Sequence, residues 1–330
     1  MSAAPQIDLP ARQPPDSQLE PFFGARRAMR RNFGRAAATF EQGDALHREV
    51  GARMQERLDY IKLDVKSVLD LGCAGGGALD GLRARYPRAG LTGLDFAFEM
   101  ARRAAPPAGT LSRLRSRWLG GRTGTVCADM AALPFGHGSV DLVWSNLALH
   151  WVDDPAPVVR EAHRVLRNGG LFMFSTLGPD SLKELRAAWH EADTGASPDQ
   201  PGALPASPSW RVKRFIDLHD VGDLLLKTGF ATPVMDMESI VLTYEHLDKL
   251  ITDLTATGSV NAMLGRLRGL TGKESWARMR AAYEQARRDG RLPATFEVVY
   301  GHAWKALARK TGSGADVVRF VERGERGALR

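Results

Sequence analysis

Apolar and polar positions follow two different periods along the chain. In residues 25–62, Leu46, Val50, Met54, Leu58 and Ile61 recur every three or four positions, which predicts helix with Asp44 as an N-cap. At Val68–Leu71 the spacing gives way to a short apolar run. It ends in the turn Gly72-Cys73-Ala74-Gly75-Gly76-Gly77, and an amphipathic segment follows from Ala78 to near Pro87. That order predicts a buried strand, a tight loop and a helix. The same alternation continues downstream. Residues 89–95 predict a second strand ending in Asp95, residues 126–130 a third with Asp129, and residues 139–146 a fourth. A helix from Pro155 to Leu166, closed by glycine at 169–170, leads into a fifth strand at Leu171–Thr176. Strand and helix in repeated alternation predict an α/β fold with a doubly wound, mostly parallel sheet.

The second half is less regular. A helix capped by Asp180 or Ser181 runs to about Ala192, and the Pro-, Ser-, Ala- and Gly-rich residues 193–209 read as loop. A helix at Leu218–Thr228 is stopped by Gly229, and a sixth strand covers 232–244. A long seventh strand at 292–304 places Phe296, Val298, Tyr300 and His302 on one face. Between these two strands, residues 245–290 are helical with breaks at Gly258, Gly265, Gly269 and Gly272, and are expected to form a lid over the carboxyl edge of the sheet. The expected organisation is a disordered tail at 1–24, a helical segment at 25–62, the main domain at 63–305 and a polar tail at 306–330.

Composition narrows the class. A chain of 330 residues with 44% hydrophobic content supports a sizeable core. Cys73 and Cys127 lie far apart and form no C-x-x-C pair, which argues against a disulfide framework or a metal site and fits a reducing cytoplasm. No apolar run approaches a membrane span, and Met1–Glu20 lacks the order of a signal peptide. The net charge of +7 suits an acidic partner or an anionic substrate. No RNA-binding signature appears, so a nucleic-acid partner is not expected. Two basic clusters read either as solvated loops or as docking surfaces: Arg113, Arg115, Arg117 and Arg122 in an insertion at 105–124, and Arg211, Lys213 and Arg214.

The glycine loop departs from the dinucleotide fingerprint, because position 74 is alanine and Asp70 stands where a pyrophosphate would lie. A carboxylate there suits a cation. S-adenosylmethionine carries an ammonium and a sulfonium and no phosphate. Asp95 is placed either to accept both ribose hydroxyls or to cap the next helix, and Asp129 and the Met130 N–H are placed to read adenine. The expected cofactor set is Asp70, Gly72, Cys73, Ala74, Gly76, Asp95, Phe96, Asp129, Met130 and Asn146. The stretch Phe33-Gly34-Arg35-Ala36-Ala37-Ala38-Thr39-Phe40 reads as helix packing or as the cover of a pocket.

Together the acid-led glycine loop and the two later strand-end acids resemble the class I methyltransferases over roughly residues 63–305. That resemblance implies a Rossmann-like, seven-stranded sheet with an antiparallel seventh strand beside the fifth. Several stretches are similar to the malonyl-acyl-carrier-protein methyltransferases of biotin synthesis: residues 33–38, Ser145-Asn146-Leu147-Ala148-Leu149-His150-Trp151, Ser175-Thr176-Leu177-Gly178-Pro179-Asp180-Ser181-Leu182, Gly265-Arg266 with Arg268-Gly269-Leu270-Thr271-Gly272, and residues 292–300. The resemblance covers about residues 31–305. It implies S-adenosylmethionine as cofactor and an acidic carrier protein bearing a malonyl thioester as partner. The implied reaction is methylation of the malonyl carboxylate, whose ester primes pimeloyl and biotin synthesis. A carboxylate is already ionised at neutral pH, so no general base is expected. Phe40, Asn146, His150 and Trp151 are the expected methyl-transfer residues, with Arg266 or Arg268 as a bidentate clamp on the acceptor. The chain departs from the family at Phe40, where tyrosine is common, and at His150, where glutamine is common. Competing readings on the same fold are an assembly factor resembling an arginine hydroxylase, a non-catalytic cofactor binder, and a methyltransferase for a small acid.

Overall fold

The computed structural model describes residues 24–106, 123–194, 211–266 and 269–306, together with a short strand pair, Arg309–Lys310 with Asp316–Val317. The expected tails, most of the 105–124 insertion with its arginines, and Arg268 lie outside the described residues.

Five parallel strands come first: β1 (Ser67–Leu71), β2 (Gly90–Asp95), β3 (Thr123–Cys127), β4 (Val140–Ser145) and β5 (Leu166–Leu177); all but β3, which begins before the expected 126–130 span and is only part-buried, follow the apolar runs of the sequence. Two long strands, β6 (Phe230–Tyr244) and β7 (Leu292–Lys305), complete a sheet of order β3-β2-β1-β4-β5-β7-β6. β7 runs antiparallel between β5 and β6, as the resemblance implied. Strand order reverses between β1 and β4, and the crevice beyond the carboxyl ends of those strands is where such sheets hold ligands.

Helices cover both faces. α1 (Arg26–Ala36) and α2 (Ala45–Arg57) precede the sheet; α3 (Gly77–Arg85), α4 (Phe98–Ala104), α5 (Ala156–Val165), α6 (Lys183–Thr194) and α7 (Leu218–Thr228) follow in turn. α8 (Leu247–Ala256) and α9 (Lys273–Glu284) lie between β6 and β7. Alternation along β4 sends Leu142 and Trp144 to one core and Val143 to the other. The first core takes Val50 and Met54 of α2, Leu79 of α3 and Tyr283 of α9, and the second takes Val158 of α5 and Leu225 of α7. Burying each such side chain contributes about 1.5–3 kcal/mol. None of the described helices is long and apolar enough to cross a membrane.

Local signals met different fates. Asp217 accepts the His219 N–H at 2.8 Å, and Gly229 closes α7 with φ +98°, so both ends of this helix follow the sequence. Asp44 makes no capping hydrogen bond to α2 and pairs instead with Arg48 at 3.2 Å. Ser181 does not cap α6. Its hydroxyl donates to the Glu297 carbonyl and accepts the Glu297 N–H, both at 3.1 Å, while the Gly178 N–H reaches the same carbonyl at 2.8 Å. The Gly178–Ser181 turn is therefore a clasp between the exit of β5 and β7. The turn expected at 167–170 is absorbed into β5, which starts directly at the end of α5.

Candidate functional site

The glycine loop leaves β1 at the point where strand order reverses. The Gly72 and Cys73 N–H groups both donate to the Leu94 carbonyl, at 2.8 and 3.0 Å, folding the loop back over β2. Gly72 has φ +75°, and a Cβ there would lie 2.4 Å from the Ala148 methyl, so only glycine fits. Ala74 also adopts a left-handed conformation, with φ +45°, at a cost of about 1–2 kcal/mol. Its N–H donates to Asp95 Oδ2 at 3.1 Å, and the Ala97 N–H donates to Asp95 Oδ1 at 2.8 Å. Asp95 thus fastens the loop and turns the chain into α4. Four lone-pair positions on its carboxylate leave room for two further donors. Burial raises its pKa to about 6.

Asp70 is 1% exposed, and its Oδ2 has no hydrogen-bond partner. Burial, with the nearby Asp95 charge, pushes its pKa up to about 8. Burial likewise holds the Cys73 thiol well above its usual range, which makes it a packing residue rather than a nucleophile.

Asp70, Gly72, Cys73, Ala74, Gly76, Asn146 and Phe40 line one cleft, together with His47 of α2. Of the expected adenine residues, Met130 lies beside the loop, where a Cβ on Gly72 would stand 3.7 Å from its terminal methyl, and Asp129 faces the start of α1. The Arg26 guanidinium binds Asp129 Oδ2, and Asp129 Oδ1 accepts the Ala131 N–H at 3.0 Å. Phe33 packs edge-on against Phe96 at 5.7 Å and Trp151 at 4.8 Å. β3 ends at Cys127, so Asp129 and Met130 sit in the following turn rather than on the strand. The Phe33–Phe40 stretch does both things expected of it. Ala36, Ala37 and Phe40 pack on Ala97 and Met100, with Ala74 alongside, beside the cleft.

Asn146 is spent on architecture. Its Nδ2 donates to the His47 carbonyl at 2.8 Å, and its Oδ1 accepts from Ser175 Oγ at 2.9 Å. Ser175 Oγ in turn accepts the Leu147 N–H at 2.9 Å, which stabilises Leu147 at φ +48°. The residue expected at the reacting centre fixes α2 and the β4 turn instead.

A second cavity, of about 130 Å³, lies between the β4 turn, the exit of β5 and the 245–290 segment. Its walls are largely apolar, with Leu46, Leu147, Leu177, Leu182, Leu242 and Phe296 among them. Polar groups include His47, His150, Lys213 and Tyr244. His47 therefore borders both cavities. Burial lowers its pKa to about 4 and holds that of His150 well below the usual value, so both imidazoles are neutral at pH 7. Trp151 sits between Phe33 and His150, 5.2 Å from the latter. Residues 24 and 25 close one side of the cavity, where the Ala25 N–H donates to the Ala262 carbonyl at 2.7 Å.

Of the two clamp candidates, Arg268 lies outside the described residues and only Arg266 is placed. Arg266 does not line the cavity, and its guanidinium donates to the Met263 carbonyl at 2.7 Å. The cations that do line it are Arg211 and Lys213, expected as surface docking residues but with side chains only 13% and 16% exposed. Arg211 donates to Asp193 at 3.0 and 3.1 Å and to Thr271 at 2.7 Å, and lies over the Trp189 ring. Lys213 pairs with Asp153 at 3.1 Å, and burial lowers its pKa against that ion pair. The sequence reading missed His47 and misplaced Lys213. One signal was available for His47: it lies four residues before Gly51, beside the apolar stripe of α2 rather than on it.

Strand order, glycine loop and the acid behind it define a methyltransferase, and the family model described as "Methyltransferase domain" matches residues 69–174. Relatives extend the likeness to nearly the whole chain. The malonyl-[acyl-carrier protein] O-methyltransferase of Laribacter hongkongensis is 48% identical over 307 residues, 91% of this chain and 97% of that protein. The protein of the same name from Gallionella capsiferriformans is 45% identical over 306 residues, 91% of this chain and 98% of that one. The chain belongs to the malonyl-[acyl-carrier protein] O-methyltransferase family and is an S-adenosylmethionine-dependent O-methyltransferase.

Proposed function

We propose that this chain methylates the free carboxylate of a malonyl group carried as a thioester on an acyl-carrier protein. The observation that carries this reading is the meeting of two cavities at His47: the glycine-loop cleft on one side, a long apolar cavity on the other. A thioester arm in the apolar cavity presents its far end to the cleft. The cleft suits S-adenosylmethionine, because the buried, unpartnered Asp70 Oδ2 is complementary to a cationic ligand and the backbone at Gly72 leaves room for close approach. Bound there, the cofactor supplies an electrophilic methyl group. Everything else falls to the chain, which must orient the acceptor and exclude water. Phe40 on the cleft side and Trp151 on the apolar side flank the junction, Phe40 packing edge-on against His47 at 5.0 Å, and residues 245–290 act as the lid of a methyltransferase domain spanning 63–305. The neutral imidazoles take no proton from the acceptor, since a carboxylate is already ionised at neutral pH.

The carrier protein in this reading is acidic. Arg27, Arg30, Arg31 and Arg35 are exposed on the outer face of α1, around the 57% exposed Phe98 of α4, and offer it a cationic surface. The ester masks the malonyl charge so that fatty-acid enzymes in the cytoplasm extend the chain toward the pimeloyl group of biotin. Neither a nucleic acid nor a membrane is a partner. The test is transfer of label from methyl-labelled S-adenosylmethionine to malonyl-carrier protein. Labelled carrier that loses its label in mild base supports the reading. Cofactor binding without transfer overturns it in favour of an assembly factor, and transfer only to small free acids overturns it in favour of a small-acid enzyme.

A further inference from the structure

Two buried nitrogens at the junction have nothing to bond. His47 Nδ1 and His150 Nδ1 have no hydrogen-bond partner among the described residues, although their rings belong to different elements, α2 and the β4 turn. Both residues line the apolar cavity, and they are close enough to influence each other electrostatically. The Lys213 ammonium lines the same cavity and also acts on His150. Unpaired buried polar groups are rare in folded proteins and call for an explanation. Two of them on residues that line one cavity with a lysine, His47 also bordering the glycine-loop cleft, are explained by an anionic ligand group.

We infer that His47 and His150 form the carboxylate subsite for the acceptor, each donating its Nδ1–H to one oxygen, with Lys213 supplying the balancing positive charge. The inference rests on the proposed function and adds the residues that recognise the acceptor. Neutral donors suit a nucleophilic carboxylate. They fix its two oxygens without the tight ion pair that would hold its electrons back from the methyl group. Lys213 is kept from forming that pair because Asp153 already engages its Nζ. Recognition by hydrogen bonding also explains how an apolar cavity prefers a charged acyl group. An acetyl thioester would leave both nitrogens unpaired, and such sites reject analogues lacking the bonded group strongly.

The experiment compares His47→Phe, His150→Phe and the corresponding Asn variants, whose amide nitrogen stands close to where Nδ1 stood. Each Phe variant is expected to lose about 10- to 100-fold in kcat/KM for malonyl-carrier protein, the size of one hydrogen bond to a charged group. The Asn variants should recover most of that loss. For the His150 variants, whose residue does not line the cofactor cleft, dissociation constants for S-adenosylmethionine measured by calorimetry should stay within about threefold of the unsubstituted protein; circular dichroism and thermal unfolding report correct folding of all four variants. A readout without substitution comes from ¹⁵N-histidine NMR of the unmodified protein, where malonyl-pantetheine should shift two imidazole Nδ1 signals and acetyl-pantetheine should not. Undiminished kcat/KM in both Phe variants, or equal losses in Phe and Asn variants, would overturn the subsite while leaving the methyltransferase reading intact. No methylation of malonyl-carrier protein by the unsubstituted enzyme would remove the reading and the subsite together.

Discussion

Replacing Asp70 by asparagine is expected to stabilise the cofactor-free protein and to weaken its hold on S-adenosylmethionine. Asp70 is 1% exposed, and its pKa stands at about 8 against an ordinary carboxylate value of 3.8. At pH 7 its carboxyl must therefore take up a proton on folding. A gap of about three units between the ordinary pKa and pH 7 sets a ceiling of roughly 4 kcal/mol for that cost. Water penetration and the amide's own unmet hydrogen bonds bring the expected gain down to about 2 kcal/mol. The sign follows from the raised folded-state pKa. The carboxyl's contribution is whole below about pH 4 and is lost as pH rises through about 8. Asp95, raised to about 6, adds a smaller loss of the same sign, in both proteins. Thermal unfolding without ligand should therefore show Asp70→Asn melting about 4 °C higher at pH 7 to 8, with the gap closing toward pH 4. Cofactor titration should show the opposite preference. Binding a cation favours the ionised carboxyl, so affinity for S-adenosylmethionine should rise between pH 6 and 8 in the unsubstituted protein and be weaker and flat in the variant. A variant that melts at or below the unsubstituted protein at pH 8, or an unsubstituted affinity that does not change across that range, would refute the reasoning.

Gly301→Ala would place a Cβ 2.2 Å from the ring of Phe174, which is fully buried. Overpacking of this kind costs about 1–3 kcal/mol, read as a lower denaturation midpoint with an unchanged cofactor dissociation constant. Ala74→Gly relieves a left-handed alanine at φ +45° but restores chain entropy to the unfolded state, and the two effects nearly cancel. Its stability should stay within about 0.5 kcal/mol, and a change beyond 2 kcal/mol by denaturant titration would contradict the strain argument. Docking on α1 predicts that salt raises KM for malonyl-carrier protein more than KM for malonyl-pantetheine, because screening weakens exposed charge pairs. The double variant Arg27→Glu, Arg31→Glu should abolish that difference, and equal salt dependence in the unsubstituted protein would count against charge docking.

What could be read from the sequence was set by contacts close along the chain. β1, β2, β4 and β5 each carried their own apolar run, and α7 carried its stop, Gly229, directly after its last residue. The glycine loop was readable for the same reason, since Gly72 and Asp70 are two residues apart. The alanine at 74 proved compatible with the loop because Asp95, on the next strand, holds its N–H. Residues whose partners are distant were misassigned. Ser181 has the spacing of a helix cap, yet Glu297, 116 residues away, takes its hydroxyl. Asp129, placed to read adenine, gains a neighbour the sequence did not show: Arg26, 103 residues earlier, binds one of its oxygens. Lys213 belongs to a basic cluster that charge alone sends to the surface, and a partner on the β4 side, Asp153, draws it inward.

The same rule explains why the acceptor subsite escaped notice while the cofactor loop did not. A loop that binds through its backbone must spell out its glycines in order, whereas a subsite assembled from α2, the β4 turn and residue 213 leaves no contiguous pattern. Its mark is physical instead: on folding, His47 and His150 leave polar atoms that none of the described residues satisfies. In a family defined by its cofactor loop, orphaned polar atoms at the far side of the cleft are therefore the better guide to the substrate. Arginines chosen by motif are the poorer guide, as Arg266 shows by spending its guanidinium on the carbonyl of Met263.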